Sequence, residues 1–367
     1  MNRERTVLVP RFMDSANVNA QNLNAKAMLS RFSCPGLRWS AVHYGAPDSA
    51  VERSPNVSLH KLWHRRLWRF DLARFYKRDA DAIFYPGPEW FDAAGLALRS
   101  FCSRRVPVIA TLEGLVGDEQ RERELTKAVG HVVICERHPR PVVERIQRIL
   151  ARADLIVAIS PFLQKMGTLL YGDKFVTVPL GIDGTIFHSR GRKSGERRRI
   201  VSAGTIKSRK RPLAFIELAA QFPQADFVWF GSGPDVELCR AHAAERGIVN
   251  VTFAGLRTPA QLADEFRRAD LFAMTSFAEG VPKVMQEAAA CGLPIVAFGF
   301  YEAPSVVDGV NGYVVWDDEQ MCARVGEVIS NPERSRELGS HGASMAREWD
   351  WDQVAPRWEE QVISLLS

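Results

Sequence analysis

Short apolar runs alternate with segments of helical periodicity along the whole chain. Because buried strands read as apolar runs bounded by polar residues, Gly and Pro, the first half predicts six of them. They are Thr6–Pro10, Trp39–Tyr44, Val57–Leu62, Ala82–Tyr85, Pro107–Leu112 and Leu155–Ile159. Amphipathic helices fall between most of these strands, and the clearest are Asn17–Phe32, Pro88–Phe101 and Pro141–Ala151.

The second half repeats this alternation. Its predicted strands are Ile200–Ala203, Phe227–Phe230, Val251–Ala254, Leu271–Thr275 and Pro294–Phe298. Its predicted helices are Pro212–Gln221, Asp235–Arg246, Pro259–Arg268 and Val281–Cys291. Since apolar strands that alternate with helices form parallel sheets covered on both faces, we expect an α/β protein with two doubly wound, Rossmann-like domains.

A polar, basic stretch separates the two halves. It runs from His188 to Arg199 and reads HSRGRKSGERRR, which is typical of a linker. We therefore expect an N-terminal domain at 1–185 and a C-terminal domain at 186–348. The remaining residues, 349–367, predict one amphipathic helix.

Glycine and polar residues follow the predicted strands of the second half. Gly204-Thr205, Gly231 and Leu256 each come after a strand, and Ser276 to Glu279 follow the fourth. Ligands of open parallel sheets bind beyond the carboxyl ends of the strands, where glycine lets them approach the backbone. These residues therefore predict a binding rim.

Residues 275–292, TSFAEGVPKVMQEAAACG, carry the strongest chemical signal. Glu279 lies on the loop after a strand, and Glu287 lies eight residues later on a predicted helix. Pro282 suits the first position of that helix. The backbone N–H groups of the segment Gly280 to Val284 are predicted to form an anion site at the positively polarised N-terminus of the helix. They belong to Gly280, Val281, Lys283 and Val284, because Pro282 has no N–H. Two hydroxyl acceptors and one phosphate cradle suit a nucleotide sugar.

Each carboxylate also has a structural interpretation. Glu287 could pair with Lys283 on a solvated helix face, although Lys before Glu is the weaker orientation and the neighbouring alanines favour packing. Glu279 could cap the following helix instead of holding a sugar hydroxyl or stabilising charge near the anomeric carbon.

A basic loop, GTIKSRKRP, follows the first strand of the second half. Lys210 is predicted to neutralise the diphosphate that departs when the glycosidic bond breaks, and Lys207 is the second candidate cation. The alternative is a solvated basic loop without a ligand.

The composition indicates the compartment in which the protein works and the charge of its partner. No apolar run approaches the roughly 20 residues of a membrane span, and the N-terminus shows no signal-peptide pattern. Six scattered cysteines without CxxC spacing predict reduced thiols and a cytoplasmic protein. Residues 1–185 hold 27 Lys and Arg against 19 Asp and Glu, whereas 186–367 hold 21 against 24. The basic half suggests an anionic partner such as a lipid head group or a lipid diphosphate.

Two further features lie in the first half. Asp79-Ala80-Asp81 spells the DxD pattern of metal-dependent sugar transferases, but it precedes a strand instead of following one, so we expect no metal site. The stretch Leu59–Arg78 is basic and aromatic with helical spacing. One of its faces should pack on the sheet, and the other either lies on an anionic membrane at the inner face or packs under neighbouring helices.

From about Leu155 to the C-terminus the chain resembles the retaining glycosyltransferases of family 4, which have the two-domain GT-B architecture. The matching segments are RADLIVAIS with VPLGIDGTIF at the domain crossing, AGTIKSRKRP as the diphosphate loop, FVWFGSGPD, FAGL, the Glu-x7-Glu segment EGVPKVMQEAAACGLPIVA, and NGYVV with WDWDQVAPRWEEQV. This resemblance implies two domains facing a central cleft, with the last helix crossing back to the N-terminal domain.

The resemblance also implies a reaction. A sugar would pass from a UDP- or GDP-linked donor to a hydroxyl of a glycan or lipid-linked acceptor, with retention of configuration, without a metal and without another cofactor. Glu287 would bind the ribose, Glu279 the sugar and Lys210 the diphosphate, and the leaving phosphate would help deprotonate the acceptor. Gly204, Thr205, Lys207, Gly231, Leu256 and Gly280 to Val284 would complete the donor site. Cell-surface polysaccharide, lipopolysaccharide or glycolipid biosynthesis is the implied process.

The chain departs from the family pattern in several places. Thr205 stands where the family often has arginine, so Lys207 or Arg209 would supply the second cation. The N-terminal domain matches poorly, and its acceptor-side candidates are Asn17, Asn19, Glu113 and His131.

Two other functions are compatible with these residues. One is a nucleotide-sugar epimerase of the same fold, and the other is a binding protein without catalysis. Nucleic acid is not an expected partner, because no aromatic base-stacking platform is evident.

Overall fold

The computed structural model describes residues 4–16, 20–62, 80–85, 106–191, 195 and 197–367. The chain divides into two compact units. The first comprises Met1–Gly117, Arg137–Gly181 and Trp351–Ser367, and the second comprises Asp118–Glu136 and Ile182–Asp350. Asn17 and Asn19 lie outside the described residues, as do the predicted helix Pro88–Phe101 and most of the stretch Leu59–Arg78.

The described residues of the first unit form a parallel sheet with helices. Its strands are β1 (Arg5–Phe12), β2 (Leu37–His43), β3 (Val57–Lys61), β4 (Ala82–Phe84), β5 (Val108–Leu112), β6 (Leu155–Ala158) and β7 (Phe175–Thr177). Its helices are α1 (Ala20–Leu29), α2 (Ser49–Glu52), α4 (Arg140–Arg152), α5 (Pro161–Tyr171) and α12 (Trp351–Leu366), with α3 (Glu119–Val129) belonging to the second unit. The strand order is β3-β2-β1-β4-β5-β6-β7.

The second unit repeats this plan. Its strands are β8 (Arg199–Ala203), β9 (Asp226–Phe230), β10 (Val251–Gly255), β11 (Leu271–Met274), β12 (Ile295–Phe298) and β13 (Gly312–Val315). Besides α3, its helices are α6 (Pro212–Ala220), α7 (Val236–Glu245), α8 (Pro259–Arg267), α9 (Lys283–Ala290), α10 (Asp318–Ser330) and α11 (Pro332–Met345). The parallel sheet has the order β10-β9-β8-β11-β12-β13.

Both units therefore have the doubly wound order predicted from the alternation of strands and helices, and the α/β, Rossmann-like fold class is confirmed. β8, β11 and β12 are buried along their whole apolar length, which explains why they read as continuous hydrophobic runs. The strand order reverses between β8 and β11, so the loops that follow these two strands lie side by side at the carboxyl edge.

Five elements were not among those predicted, one of them the four-residue helix α2. β7 and β13 are short, and the amphipathic character of α3 and α5 was not recognised. Two boundaries were also wrong. The helical interpretation of Leu59–Arg78 fails at its start, because Leu59 to Lys61 belong to β3. Pro282 is the N-cap of α9 and not its first helical residue.

The C-terminal helix α12 belongs to the first unit. The Glu359 carboxylate accepts hydrogen bonds from the backbone N–H groups of Ser33 (3.0 Å) and Cys34 (3.1 Å). Trp358 is fully buried, and its indole N–H donates to the Pro179 carbonyl at 2.9 Å. These buried polar contacts hold the helix in one register along this unit.

Residues Asp118–Glu136 are grouped differently from the expected domain at 1–185. This segment, which contains α3, clusters with the second unit although the chain on both sides of it belongs to the first. Its side chains contact loop residues of this unit, among them Glu302 and Lys207, which the linear order of elements does not reveal.

In the described part of the chain, no helix combines the length and the apolar composition that crossing a membrane requires.

Candidate functional site

The strand ends of the second sheet bring the predicted rim together. Gly204 follows β8, Gly231 follows β9, Gly255 ends β10 and Thr275 follows β11. All four strands are parallel neighbours, so these residues line one edge. The Gly204 N–H donates to the Phe230 carbonyl at 2.9 Å, and the Gly231 N–H donates to the Gly255 carbonyl at 2.9 Å.

Glycine is required where these strand ends cross. A Cβ on Gly231 would lie 2.1 Å from the Gly204 carbonyl oxygen, and the φ angle of Gly231 is +142°. Both the space and the backbone conformation exclude a side chain there. The rim is consequently built from bare backbone, which a ligand can approach closely.

Lys210 ends a 3-10 turn, Ser208–Lys210, in the loop after β8. Its side chain is buried, and its Nζ would lie 3.2 Å from a Cβ on Gly204, so the glycine makes room for the lysine. The Thr275 hydroxyl donates to the carbonyls of Lys210 (2.8 Å) and Arg211 (3.2 Å). These two hydrogen bonds tie the loop to the end of β11. They also stabilise the backbone of Arg211, whose φ angle of +50° is unusual for a non-glycine residue.

Glu279 and Lys210 form a buried ion pair at the rim. Lys210 Nζ lies 2.7 Å from Glu279 Oε1, and Arg209 Nη1 lies 3.0 Å from Glu279 Oε2. Burial favours a raised pKa for the Glu279 carboxyl, but the charges of Lys210 and Arg209 outweigh it and hold that pKa below its ordinary value. Burial lowers the pKa of the Lys210 amine, against the attraction of Glu279. The rim thus places one carboxylate and two cations side by side at the position where a ligand would bind.

Glu287 lies on α9 and is partly buried. Burial raises the pKa of its carboxyl, and the charge of Lys283 offsets this only in part. Within the described residues, no donor makes a hydrogen bond to the Glu287 carboxylate. A partly desolvated carboxylate without a protein donor is available to ligand hydroxyls.

The raised pKa of Glu287 predicts a pH-dependent stability difference. Because the folded-state pKa lies above the unfolded value, the stabilising contribution of the protonated carboxyl is complete below the unfolded pKa and is lost as pH rises through the folded pKa. We expect the free energy of unfolding of wild type, relative to Glu287→Gln, to fall as the pH rises from below the ordinary carboxyl pKa to neutral pH. Urea unfolding of both proteins across this range measures it; a constant difference would contradict the assignment.

The segment Gly280–Val284 leads into α9. Pro282 is the N-cap and provides no side-chain cap for the first-turn N–H groups, and Val281 is buried. Helix N-termini without a side-chain cap favour anions. The helix begins at Lys283, one residue after Pro282, which the sequence predicted as the first helical position.

The other predicted donor contacts lie around the same edge. Thr205 is exposed, and Leu256 keeps 77% of its surface exposed at the end of β10. Lys207 Nζ lies 3.4 Å from Glu136 Oε1. An exposed leucine beside bare backbone provides an apolar contact surface at the rim.

The sequence analysis did not single out Tyr301, which lies near this site, and it named Arg209 only as an alternative second cation. The Tyr301 hydroxyl is buried without a hydrogen-bond partner among the described residues, and burial, with the nearby Glu279 charge, raises its pKa well above the ordinary value. Tyr301 follows β12, which adjoins β11, so the strand order could have suggested it. Arg209 was one of several cations in a basic loop, and only the fold shows that it contacts Glu279.

Two of the acceptor-side candidates have partners of their own. Glu113 accepts a hydrogen bond from the Tyr85 hydroxyl at the carboxyl ends of β4 and β5. The Arg11 guanidinium lies 5.2 Å from the centre of the Tyr85 ring, so it joins Glu113 at that edge. His131 lies in the second unit, where its Nε2 is 2.8 Å from Glu302 Oε1. It therefore belongs to a different unit from Glu113.

The DxD pattern has no metal-site geometry in the described residues. Asp81 Oδ2 accepts a hydrogen bond from the Thr6 N–H at 2.9 Å, which joins it to β1, and Asp79 lies outside the described residues. Across the described ranges, no group of three His, Cys, Asp or Glu side chains is arranged to hold a metal ion.

Residues 185–345 match the family described as glycosyl transferases group 1. The chain is 38% identical over 129 residues to the D-inositol 3-phosphate glycosyltransferase of Segniliparus rotundus, covering 34% of this chain and 29% of that protein. It is 28% identical over 233 residues to a GDP-mannose-dependent alpha-(1-6)-phosphatidylinositol monomannoside mannosyltransferase of Mycolicibacterium smegmatis, covering 56% and 61%. The matches span less than two thirds of the length of these relatives.

A solved structure extends the likeness to the whole chain. The complex of Anabaena HepE with UDP and glucose superposes with a TM-score of 0.73 at 16% identity, covering 99% of this chain and 100% of that one. At this identity the likeness concerns the fold, which is that of GT-B glycosyltransferases.

Proposed function

We propose that this glycosyltransferase group 1 domain works within a retaining, metal-independent glycosyltransferase, which moves a sugar from a nucleoside diphosphate sugar to an acceptor hydroxyl. The observation that carries the proposal is the buried Lys210–Glu279 ion pair beside the glycine rim. A cation buried at the carboxyl edge can meet a diphosphate, and an adjacent carboxylate can meet sugar hydroxyls.

The donor would lie along the edge of the second sheet. Glu287 would accept hydrogen bonds from the ribose hydroxyls, Lys210 would contact the diphosphate, and Glu279 would contact the transferred sugar. Gly204, Gly231 and the N–H groups of Gly280–Val284 would approach the phosphates and sugar through backbone. The unpartnered Glu287 carboxylate supports this assignment, because a ribose would supply the donors that the protein does not.

The reaction follows from these contacts. The bond between the anomeric carbon and the phosphate oxygen breaks, and the acceptor oxygen bonds to the same face of that carbon. The acceptor proton passes to the departing phosphate oxygen, so atoms and charges balance without an enzymic nucleophile. Lys210 and Arg209 stabilise the negative charge that develops on the leaving diphosphate.

The acceptor class is a glycan or a lipid-linked glycan. The Mycolicibacterium smegmatis relative is named for a phosphatidylinositol mannoside acceptor, and the net positive charge of residues 1–185 suits an acceptor that carries phosphate. The cysteines of the described residues are free thiols, in keeping with a cytoplasmic reaction. The peripheral membrane contact proposed for Leu59–Arg78 concerns residues mostly outside the described ranges.

A thermal-shift panel of UDP- and GDP-sugars tests the donor site. A bound donor should raise the unfolding temperature according to its concentration over its Kd. We expect Glu287→Ala to weaken binding of the best donor about tenfold or more, because the ribose hydroxyls lose their acceptor. Glu245→Ala removes an exposed carboxylate of α7 and serves as the matched control.

The outcome separates the candidate functions. An equal response of Glu287→Ala and wild type would refute the ribose assignment. Release of the nucleoside diphosphate only when an acceptor is present supports transfer. Isomerisation of the sugar without an acceptor would instead identify an epimerase.

A further inference from the structure

The segment Asp118–Glu136 ends in a carboxylate that contacts the basic loop. Glu136 Oε1 lies 3.4 Å from Lys207 Nζ and 3.5 Å from Arg209 Nε. One oxygen atom thus lies within ion-pair distance of two cations of the loop proposed to hold the diphosphate. All three side chains are partly exposed, so a soluble ligand can compete for them.

The fold holds this carboxylate in place. After α3, the chain turns back, so that the Val133 N–H donates to Thr126 Oγ1 at 2.9 Å and the Cys135 N–H donates to Glu122 Oε1 at 2.8 Å. Val133 and Cys135 are buried. Glu136 therefore follows directly on a packed residue, and its contact with the loop does not depend on a free chain end.

The second attachment lies at His131, in the turn after α3. Its ring contacts Glu302 at 2.8 Å and lies 5.7 Å from the Trp316 ring centre. These contacts fix the turn against the loops that follow β12 and β13. In the described part of the chain, His131 and Glu136 are thus two of the points at which the segment contacts the rest of the second unit.

The charges of the loop are already matched by acids of the chain. Glu279 contacts Lys210 and Arg209, and Glu136 contacts Lys207 and Arg209. A diphosphate at this loop needs the same cations. Glu279 is buried, whereas Glu136 is partly exposed and makes the longer contacts, so Glu136 is the acid that an incoming anion displaces.

We infer that Glu136 is a specificity-determining residue that occupies the place of a donor phosphate group until the diphosphate displaces it. This inference rests on the proposed function for the location of the diphosphate. An anion with several charges replaces the carboxylate and gains contacts with Lys207 and Arg209 together, whereas a weakly charged ligand does not. Glu136 therefore favours diphosphates over monophosphates, and its return to the cations aids release of the nucleoside diphosphate product.

Titration with inorganic pyrophosphate and with orthophosphate tests this inference without a base or a sugar. Glu136→Gln keeps the shape of the side chain and removes its charge. We expect this variant to bind pyrophosphate about three- to tenfold more tightly than wild type in isothermal titration calorimetry at low ionic strength. The gain should be larger for orthophosphate, because the loss of Glu136 narrows the preference for diphosphate over monophosphate, and both gains should shrink as salt is added.

Two further variants distinguish competition from other effects of the substitution. Glu124→Gln removes an exposed negative charge from α3, in the same segment Asp118–Glu136, and should leave pyrophosphate affinity unchanged. Glu136→Asp keeps the charge but shortens the side chain, and should give an affinity between those of wild type and Glu136→Gln. Unfolding temperatures within a few degrees of wild type verify that each variant is folded.

Unchanged or weaker pyrophosphate binding by folded Glu136→Gln would overturn the inference, as would the absence of pyrophosphate binding by both proteins. If Glu124→Gln gained as much pyrophosphate affinity as Glu136→Gln, the gain would be due to net charge, and the inference would also be overturned. Failure of the proposed function gives a different result. If Glu136→Gln binds pyrophosphate more tightly as expected but the protein binds no nucleotide sugar, only the donor assignment is refuted.

Discussion

Replacing Glu279 with glutamine should reduce kcat for sugar transfer by about 10²- to 10³-fold. Glutamine keeps the size of the side chain but lacks the charge that holds Lys210 at 2.7 Å and Arg209 at 3.0 Å. Both cations then lose the partner that aims them at the rim, and the donor sugar loses a charged acceptor. Initial rates at saturating donor, with KM measured in the same series, give the size and the type of the loss.

The control must separate chemistry from folding, because Glu279→Gln leaves a buried lysine without its counter-charge. We expect it to lower the free energy of unfolding by about 1–3 kcal/mol. The double variant Glu279→Gln with Lys210→Met removes both charges, so it should regain stability without regaining activity. Glu217→Gln, which removes a carboxylate that contacts His242 and Arg246, should leave kcat unchanged. A folded Glu279→Gln protein with kcat within threefold of wild type would show that the pair is structural.

Gly231→Ala should be the most destabilising single substitution at the rim. Its Cβ would lie 2.1 Å from the Gly204 carbonyl oxygen, which is backbone and cannot rotate away, and its φ angle of +142° is unfavourable for any side chain. We expect the free energy of unfolding to fall by about 3 kcal/mol or more, because the ends of β8 and β9 must separate. Urea unfolding measures this loss, and donor-induced thermal shifts should vanish with it.

Gly247→Ala is the matched control for backbone strain. Gly247 has a φ angle of +65°, and apart from its chain neighbours no atom of the described residues lies within 4 Å of the Cβ position, so alanine adds strain without a collision. We expect a loss of about 1 kcal/mol. Equal losses in the two variants would mean that the crossing of Gly231 and Gly204 relaxes, and that the rim tolerates side chains.

The sequence predicted most elements of the fold because buried parallel strands leave a strong signal. β11 is apolar along its whole length, β8 and β9 are mostly apolar after their first residue, and helices separate these strands. β7 covers only Phe175–Thr177, which is too short for a periodic pattern to stand out. The first residues of Leu59–Arg78 fit both the strand period and the helix period, so the sequence left their structure ambiguous. They form a strand because β3 pairs with β2.

The candidate site was predictable in part for a similar reason. Residues 275–292 hold two acids and a helix start in one continuous segment, so their proximity needs no long-range contact. Lys210 was predicted from a basic loop, but its partner Glu279 is 69 residues away, and a contact across that distance depends on β8 lying beside β11. Tyr301 and Glu136 left no comparable signal, because neither lies in a motif.

Local pattern was thus enough to establish two doubly wound sheets, their glycine-bearing strand ends and the acids of residues 275–292, since each depends on neighbours within one or two elements. Packing decided which charges meet. It joined Lys210 and Arg209 to Glu279, buried the Tyr301 hydroxyl nearby, and attached Asp118–Glu136 to the second unit so that Glu136 contacts Lys207. Burial and pairing set the energy of an ionised group, and both arise only when distant segments come together.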